Sequence, residues 1–371
     1  MNTQKTSSHG RLLAFFLIAL ALVLIFGFAA SGSNSNGGAM ADNSDDNSDK
    51  DDNNTDSEEN GEGEEQDSSL TPTPPKYFNY LTGLLESDIS SQRKPVSFIM
   101  STEAALYGIS SAELLIEIPI ENGKTRMLAF STSLTGLGKI GSIAPTRAYI
   151  TGLAKSFGST LVSYGRDDTK VYPEISAPPE NLDLSKNTGY HYTEYTKFAY
   201  SNSDLINRGL ANSSLGLSPP DARLPFDFAN EGNAPTTAGV SATWITLPYS
   251  PAGATELTYS EHDGTYTIAK GPTVLYDMLT GSTPTYKNAI VLFADSVTYE
   301  SCDSVSFIMD TISGGSGIYA TDGRAINIRW ECNESGEMSF FTETGERLSV
   351  NRGKTYIGFF KSSMADSVTL R

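Results

Sequence analysis

Histidine, cysteine and tryptophan are scarce in this sequence of 371 residues, which contains three, two and two of them. The histidines, at positions 9, 191 and 262, are far apart, and the cysteines form no Cys-x-x-Cys pair. Such a sequence offers no recognisable set of ligands for zinc or another transition metal. The G-x-S-x-G pattern of many serine hydrolases is also absent. We therefore expect no metal and no nucleophile that is activated by a histidine.

A glycine-rich motif gives little support for a cofactor. Residues 136–141, GLGKIG, match the G-x-G-x-x-G pattern that brings backbone close to the pyrophosphate of a dinucleotide. However, the helix predicted after this motif begins only at Pro145, and no complete strand–helix–strand unit with a suitably placed acid follows. We expect a turn at the motif and no cofactor.

Basic residues are also few. The chain has 26 lysines and arginines and 44 aspartates and glutamates, so its net charge is −18. Thirteen carboxylates and one lysine lie between Asp42 and Asp67, so this segment alone carries −12. Residues 31–75 have almost no apolar side chains, and we expect a disordered acidic spacer that extends about 35–40 Å. Because no basic patch is available to neutralise phosphates, we expect no nucleic-acid partner.

One long apolar run is present, at residues 12–30, LLAFFLIALALVLIFGFAA, with no charge in nineteen residues. A run of this length can cross a bilayer as a helix. Lys5 and Arg11 precede it, so the positive-inside rule predicts a cytoplasmic tail at residues 1–11 and an extracytoplasmic location for all that follows. Small residues at the end of the run leave a cleaved secretory signal as the alternative. We expect a single-pass protein of the cell membrane, or a secreted protein if the signal is cleaved.

Residues 76–238 combine strand and helix patterns. Apolar runs at 113–120 and 124–131 flank an Asn-Gly pair at 122–123, which is a strong hairpin signal. A helix is predicted at 145–157, because apolar residues recur at helical spacing behind an N-terminal proline. These patterns predict a mixed α/β domain.

Residues 239–371 show mainly β patterns. Alternating runs flank Asp263-Gly264 and Asp322-Gly323, and each pair predicts a two-residue hairpin turn. The length from residue 76 onward is sufficient for two domains. The predicted fold class is therefore α+β, with an N-terminal mixed α/β domain (76–238) followed by a mainly antiparallel β domain (239–371).

The two cysteines, Cys302 and Cys332, lie in or beside strand-like runs. Outside the cell such a pair can oxidise, and neighbouring strands would bring the two sulfur atoms within bonding distance. A disulfide and two separate thiols are the alternatives.

Charged residues concentrate around the predicted hairpin and helix. Glu117 and Glu121 are four residues apart at the end of one strand, so they can face the same side. Arg126 approaches them if the turn pairs the strands, and Arg147 lies in the first turn of the helix, where the helix dipole disfavours a cation by about 0.3–1 kcal/mol. The alternatives are a structural ion-pair network, a cleft that binds an anion or glycan, and paired carboxylates for glycoside hydrolysis.

Four segments carry a resemblance to a known family: EIPIENGKTRMLAF at 117–130, KIGSIAPTRAYITGLAK at 139–155, GSGIYATDGRAINIRW at 315–330 and NRGKTYIGFF at 351–360. From about Tyr80 to Phe360 the chain resembles the YerB-like family of bacterial envelope lipoproteins, which have two domains of unknown function. The positions that match the family pattern are Glu117, Glu121, Gly123, Thr125, Arg126, Gly141, Arg147 and Tyr149. We take Glu117, Glu121, Arg126, Arg147 and Tyr149 as the candidate ligand-binding residues, and none as catalytic.

The chain departs from the family pattern at several polar positions. Ala144 and Ala148 replace an arginine and an aspartate, Ser163 replaces a histidine, and a Pro-His-Asn element expected near 198–202 is absent. The lipid-bearing cysteine is also missing after the apolar run. We expect a membrane-tethered extracytoplasmic protein with a non-catalytic binding or scaffolding role at the bacterial cell envelope, and a cell-wall or envelope-protein partner. The alternative is a cell-wall glycan hydrolase that uses paired carboxylates.

Overall fold

The computed structural model describes residues 76–89, 93–166, 181–194, 197–215, 226–229, 236, 238–250, 253–301, 304–333 and 336–371. The expected tail, apolar run and spacer, residues 1–75, therefore lie outside the described residues, as does Cys302. Across the described ranges we find no helix that has both the length and the apolar character needed to cross a bilayer.

β-Strands make up most of the regular structure, so the fold is mainly β. The strands up to residue 238 are β1 (Tyr77–Phe78), β2 (Leu85–Glu86), β3 (Val96–Met100), β4 (Leu114–Pro119), β5 (Thr125–Ser131), β6 (Ile140–Ile143), β7 (Thr160–Ser163), β8 (Asn181–Asp183), β9 (Tyr192–Thr193), β10 (Ala199–Ser201) and β11 (Asp227–Phe228). The helices are α1 (Ala148–Ser156) and α2 (Ser203–Asn212), with 3₁₀ turns at Ile109–Ser111, Glu121–Gly123, Leu184–Lys186, Thr188–Tyr190 and Ser362–Ser367.

The later strands are longer on average. They are β12 (Val240–Ser241), β13 (Trp244–Ser250), β14 (Gly253–Ser260), β15 (Thr265–Lys270), β16 (Thr273–Val274), β17 (Thr285–Tyr286), β18 (Asn288–Ala294), β19 (Ser296–Ser301), β20 (Ser304–Met309), β21 (Gly314–Thr321), β22 (Arg324–Cys332), β23 (Met338–Thr342), β24 (Ser349–Val350), β25 (Thr355–Lys361) and β26 (Thr369–Leu370).

Fourteen strands form one large sheet, whose main path has the order β12-β22-β21-β18-β25-β4-β5-β3-β6-β10-β9. Strand β25 runs parallel to both of its neighbours, β18 and β4, whereas β4 pairs with β5 in antiparallel fashion. All residues of β18 and β4 are buried. Burial of both faces explains why these two strands have nearly continuous apolar runs rather than alternating ones.

A six-stranded sheet in the order β16-β15-β14-β13-β26, with β17 also paired to β15, packs against the large sheet. Burial alternates along β13, as expected for a sheet with one face toward the core and one toward water. The shared core includes Ile245, Leu247, Leu257, Tyr266 and Ile268 from the smaller sheet and Ala289, Val291, Tyr356 and Phe360 from the larger one.

Local turn chemistry accounts for the predicted hairpins. Asp322 and Gly323 have φ of 52° and 70° and join β21 to β22 in two residues, so that prediction is confirmed. The prediction at Asp263-Gly264 is wrong in length, because Ser260 pairs with Thr265 and leaves four residues in the loop. The Ser260 hydroxyl donates to the Asp263 carboxylate at 2.8 Å, which favours the longer turn.

A helix is confirmed within the predicted range 145–157, but its predicted start at Pro145 is wrong, because α1 begins at Ala148 with Arg147 as its N-cap. The finer division into an α/β domain and a β domain stays a prediction. Strands from both sides of residue 238 contribute to the large sheet, and the described residues between 76 and 371 belong to one compact unit.

Candidate functional site

Glu117 lies in the middle of β4 and is completely shielded from solvent. Its carboxylate forms an ion pair with Lys270 at the end of β15. The Thr255 hydroxyl lies 2.9 Å from Oε2 and 3.1 Å from Oε1, and the Tyr356 hydroxyl donates to Oε2 at 2.8 Å. A buried charge is tolerated when it is paired and hydrogen-bonded in this way.

Lys270 connects the two sheets. Its ammonium donates to the Thr255 hydroxyl at 2.8 Å and to the Thr125 hydroxyl at 3.1 Å, in addition to Glu117. These contacts use the three protons of the ammonium group. Because Glu117 and Thr125 belong to the large sheet and Lys270 and Thr255 to the smaller one, the cluster fastens one sheet to the other.

Two buried tyrosines, Tyr249 and Tyr356, lie beside the Glu117 carboxylate. Burial and the nearby charge of Glu117 raise the pKa of both Tyr249 and Tyr356 well above the usual value, so both remain neutral. Gly358 provides the space for their hydroxyls, since a Cβ at this position would lie 2.9 Å from Tyr356 Oη and 3.0 Å from Tyr249 Oη. The two tyrosine hydroxyls can therefore occupy these positions only because residue 358 has no side chain.

Glu121 and Arg147 form a second, separate pair. Arg147 Nε donates to Glu121 Oε1 at 2.9 Å and Nη2 donates to Oε2 at 2.6 Å, which is the two-pronged geometry typical of strong arginine–carboxylate pairs. The two side chains are only 4% and 12% exposed. Arg147 is the N-cap of α1 and not part of its first turn, and the Glu121 carboxylate offsets the unfavourable helix dipole.

The environment of Glu121 keeps it ionised. Burial alone would raise the pKa of Glu121, but the hydrogen bonds and positive charge of Arg147 outweigh burial and lower the pKa. The backbone N–H of Phe307, in β20, also donates to this carboxylate and acts in the same direction.

Arg126 faces away from the Glu117 cluster. Its neighbour Thr125 contacts Lys270, and successive side chains on a strand point to opposite faces. The Arg126 guanidinium lies 5.8 Å from the centre of the Phe198 ring and 3.8 Å from the carboxylate of Glu103. It is 4% exposed.

Tyr149, the fifth candidate, is buried in α1, and its hydroxyl donates to the Pro119 carbonyl at 2.8 Å. The hydroxyl ties the helix to the end of β4, close to the Glu121–Arg147 pair. The five candidates therefore divide into the Glu117 cluster on one face of the large sheet, Arg126 on the other, and the Glu121–Arg147 pair with Tyr149 at the hairpin end. Their ligand-binding role stays a prediction.

The sequence reasoning missed Lys270, Thr255 and Tyr356. A signal was available for Lys270, because it follows Tyr266 and Ile268 at every second position of β15, and both of these are fully buried. A lysine in phase with core residues requires a buried anionic partner. The partner itself, 153 positions earlier in the chain, has no signature in the sequence around Lys270.

The choice between a disulfide and two separate thiols is not tested, since Cys302 lies outside the described residues. Cys332, at the end of β22, is half-buried, and burial raises the pKa of its thiol to about 11. Within the described ranges, no three His, Cys, Asp or Glu side chains are grouped so that they could hold a metal ion.

The architecture is that of a mainly β protein in which a large mixed sheet and a smaller antiparallel sheet share one core. Residues 81–213 match the N-terminal domain of the family described as a protein of unknown function, DUF3048, and residues 245–357 match its C-terminal domain. The chain therefore belongs to the YerB-like, DUF3048 family.

A crystal structure of the YerB protein from Bacillus subtilis has the same fold. The match has a TM-score of 0.66 and 20% sequence identity, and it covers 79% of this chain and 98% of the YerB chain. A comparison with curated proteins gives no match. At this level of identity the structural similarity defines the fold and leaves the activity open.

Proposed function

We propose that this protein is a non-catalytic binding protein, held at the outer face of a bacterial membrane by residues 12–30. The acidic spacer would place the folded part at a distance from the bilayer, within reach of the cell wall or of another envelope protein. The location rests on the apolar run and on the positive charges that precede it.

The observation that carries the non-catalytic role is the internal neutralisation of both candidate carboxylates. Glu117 is paired with Lys270 and Glu121 with Arg147. A glycoside hydrolase needs one carboxylic acid that is protonated near neutral pH. The lowered pKa of Glu121 opposes this role, and Glu117 has no solvent-exposed surface through which a glycan could reach it.

A division into two domains near residues 238 and 239 is part of the proposal. The two family matches support it, because one ends at residue 213 and the other begins at residue 245. The N-terminal part contains both α1 and α2, as the predicted mixed α/β domain requires.

The location is tested by adding a protease to intact cells from which the wall has been removed. We expect the C-terminal part to be digested, and digestion only after lysis would contradict the proposed location. A tag at the N-terminus distinguishes an uncleaved anchor from a cleaved signal, since only the anchor keeps the tag on the membrane-bound chain.

The binding role is tested by sedimentation of the full chain, in detergent micelles, with purified cell wall and with membrane-protein extracts. We expect co-sedimentation or complex formation without release of soluble wall fragments. Release of fragments that depends on Glu117 and Glu121 would replace the proposal with the glycan hydrolase.

A further inference from the structure

Part of one face of the large sheet is left open at β22. Ala325 is buried in the core that the two sheets share, whereas Asn327, Arg329 and Glu331 are exposed. These four residues alternate along one strand, so they lie on the same face. The cover provided by the smaller sheet therefore ends just beyond Ala325.

A surface depression of about 280 Å³ lies at this open part of the sheet. Its lining consists of Gly315, Arg329, Trp330, Glu331 and Phe341. Arg329 is directly opposite Phe341 on β23 and Ser316 on β21, and Glu331 is opposite Gly314. Gly314, Gly315 and Ser316 of β21 have little or no side chain, so they leave space on one side of the depression. The Phe341 ring lies on the other side.

The charged side chains in the depression are those of Arg329 and Glu331. Arg329 and Glu331 lie two residues apart, about 6.6 Å along the strand. Neither side chain has an ion-pair partner among the described residues, in contrast to the paired charges of the candidate site. The lining of the depression thus includes one exposed cation and one exposed anion, two positions apart on the same strand.

We propose that this depression binds a short zwitterionic peptide. Arg329 receives its carboxylate, because a guanidinium matches the two oxygens of a carboxylate. Glu331 receives its ammonium group, and Phe341 contacts the apolar body between them. An extended dipeptide spans at most about 7 Å, which agrees with the spacing of the two charges. This inference rests on the proposed binding function and names its class of ligand.

Titration of the purified full chain in detergent micelles tests the inference. The probes are alanyl-alanine, its N-acetylated form, which lacks the ammonium group, and its C-terminal amide, which lacks the carboxylate. We expect the zwitterion to bind most tightly, and Arg329→Gln to weaken its binding roughly tenfold, as the loss of a charge-assisted pair predicts. Glu331→Gln is expected to weaken the zwitterion but not the N-acetylated form.

Arg324→Gln is the matched control, since Arg324 is exposed on the same strand, outside the depression. Binding of the zwitterion that is equal in Arg329→Gln and the unaltered chain would overturn the inference. So would an equal loss in Arg324→Gln, or the absence of binding by all three probes. If the unaltered chain still co-sediments with cell wall in those cases, the proposed function stands and only this site is wrong.

Discussion

The buried pair of Glu117 and Lys270 predicts an asymmetric response to mutation. Lys270→Met leaves the Glu117 carboxyl group with no exposed surface and with only the Thr255 and Tyr356 hydroxyls as partners. Removal of one partner from a buried ion pair costs about 3–5 kcal/mol, and we expect roughly 3 kcal/mol because these two hydrogen bonds remain. For a folded part of this size that loss corresponds to a fall in Tm of about 5 °C.

Glu117→Gln should cost less, about 1–2 kcal/mol. Lys270 is 19% exposed and can turn its ammonium toward water, whereas Glu117 cannot be hydrated without unfolding. The double variant Glu117→Gln with Lys270→Met is therefore expected to be more stable than Lys270→Met alone, by roughly 1–2 kcal/mol.

Urea denaturation followed by circular dichroism measures the free energy of unfolding of the four chains in this cycle. Lys287→Met is the control, because Lys287 pairs with Asp322 at the surface, where such pairs contribute about 0–1 kcal/mol. If Lys270→Met costs no more than Lys287→Met, or if Glu117→Gln fails to rescue it, the reasoning about burial is refuted.

Three further predictions concern stability. Arg147→Ala removes the partner of Glu121 and should cost roughly 3 kcal/mol in urea denaturation; an unchanged midpoint together with weaker ligand binding would instead favour a binding cleft. Folding lowers the pKa of Glu121, so the ionised carboxylate stabilises the folded state fully above the unfolded pKa near 4.5. This stabilisation is lost as the pH falls through the pKa of the folded state. The Tm of Glu121→Gln should therefore drop less on acidification than the Tm of the unaltered chain. Gly358→Ala should cost about 1–3 kcal/mol by overpacking against Tyr356, and a wild-type Tm would contradict the close contacts.

Features that depend on neighbouring residues could be predicted from the sequence. The turn at Asp322-Gly323, the hairpin of β4 and β5, and α1 all follow from turn residues and from the spacing of apolar side chains. The loop at Asp263 was predicted too short, because the hydrogen bond of Ser260 with Asp263 competes with a two-residue turn. In each case the deciding interaction lies within a few positions of the turn.

Features that depend on distant residues could not be predicted. The parallel pairing of Tyr356 with Leu115 joins strands about 240 positions apart, and no local pattern specifies it. The same is true of the partners of Glu117, which come from β14, β15 and β25. A lone glutamate in an apolar strand indicates that a partner exists, but only the assembled sheets reveal which one.

The position of β4 in the large sheet affects whether the coding sequence can be divided between the two family segments. β4 receives backbone hydrogen bonds from β5 on one side and from β25, near the C-terminus, on the other. A gene fragment that ended after the first family segment would encode β4, a six-residue and mostly apolar strand, with one unprotected edge, which is a template for aggregation. Selection against such fragments would keep the two segments together within one reading frame, even though each can be recognised separately in the sequence.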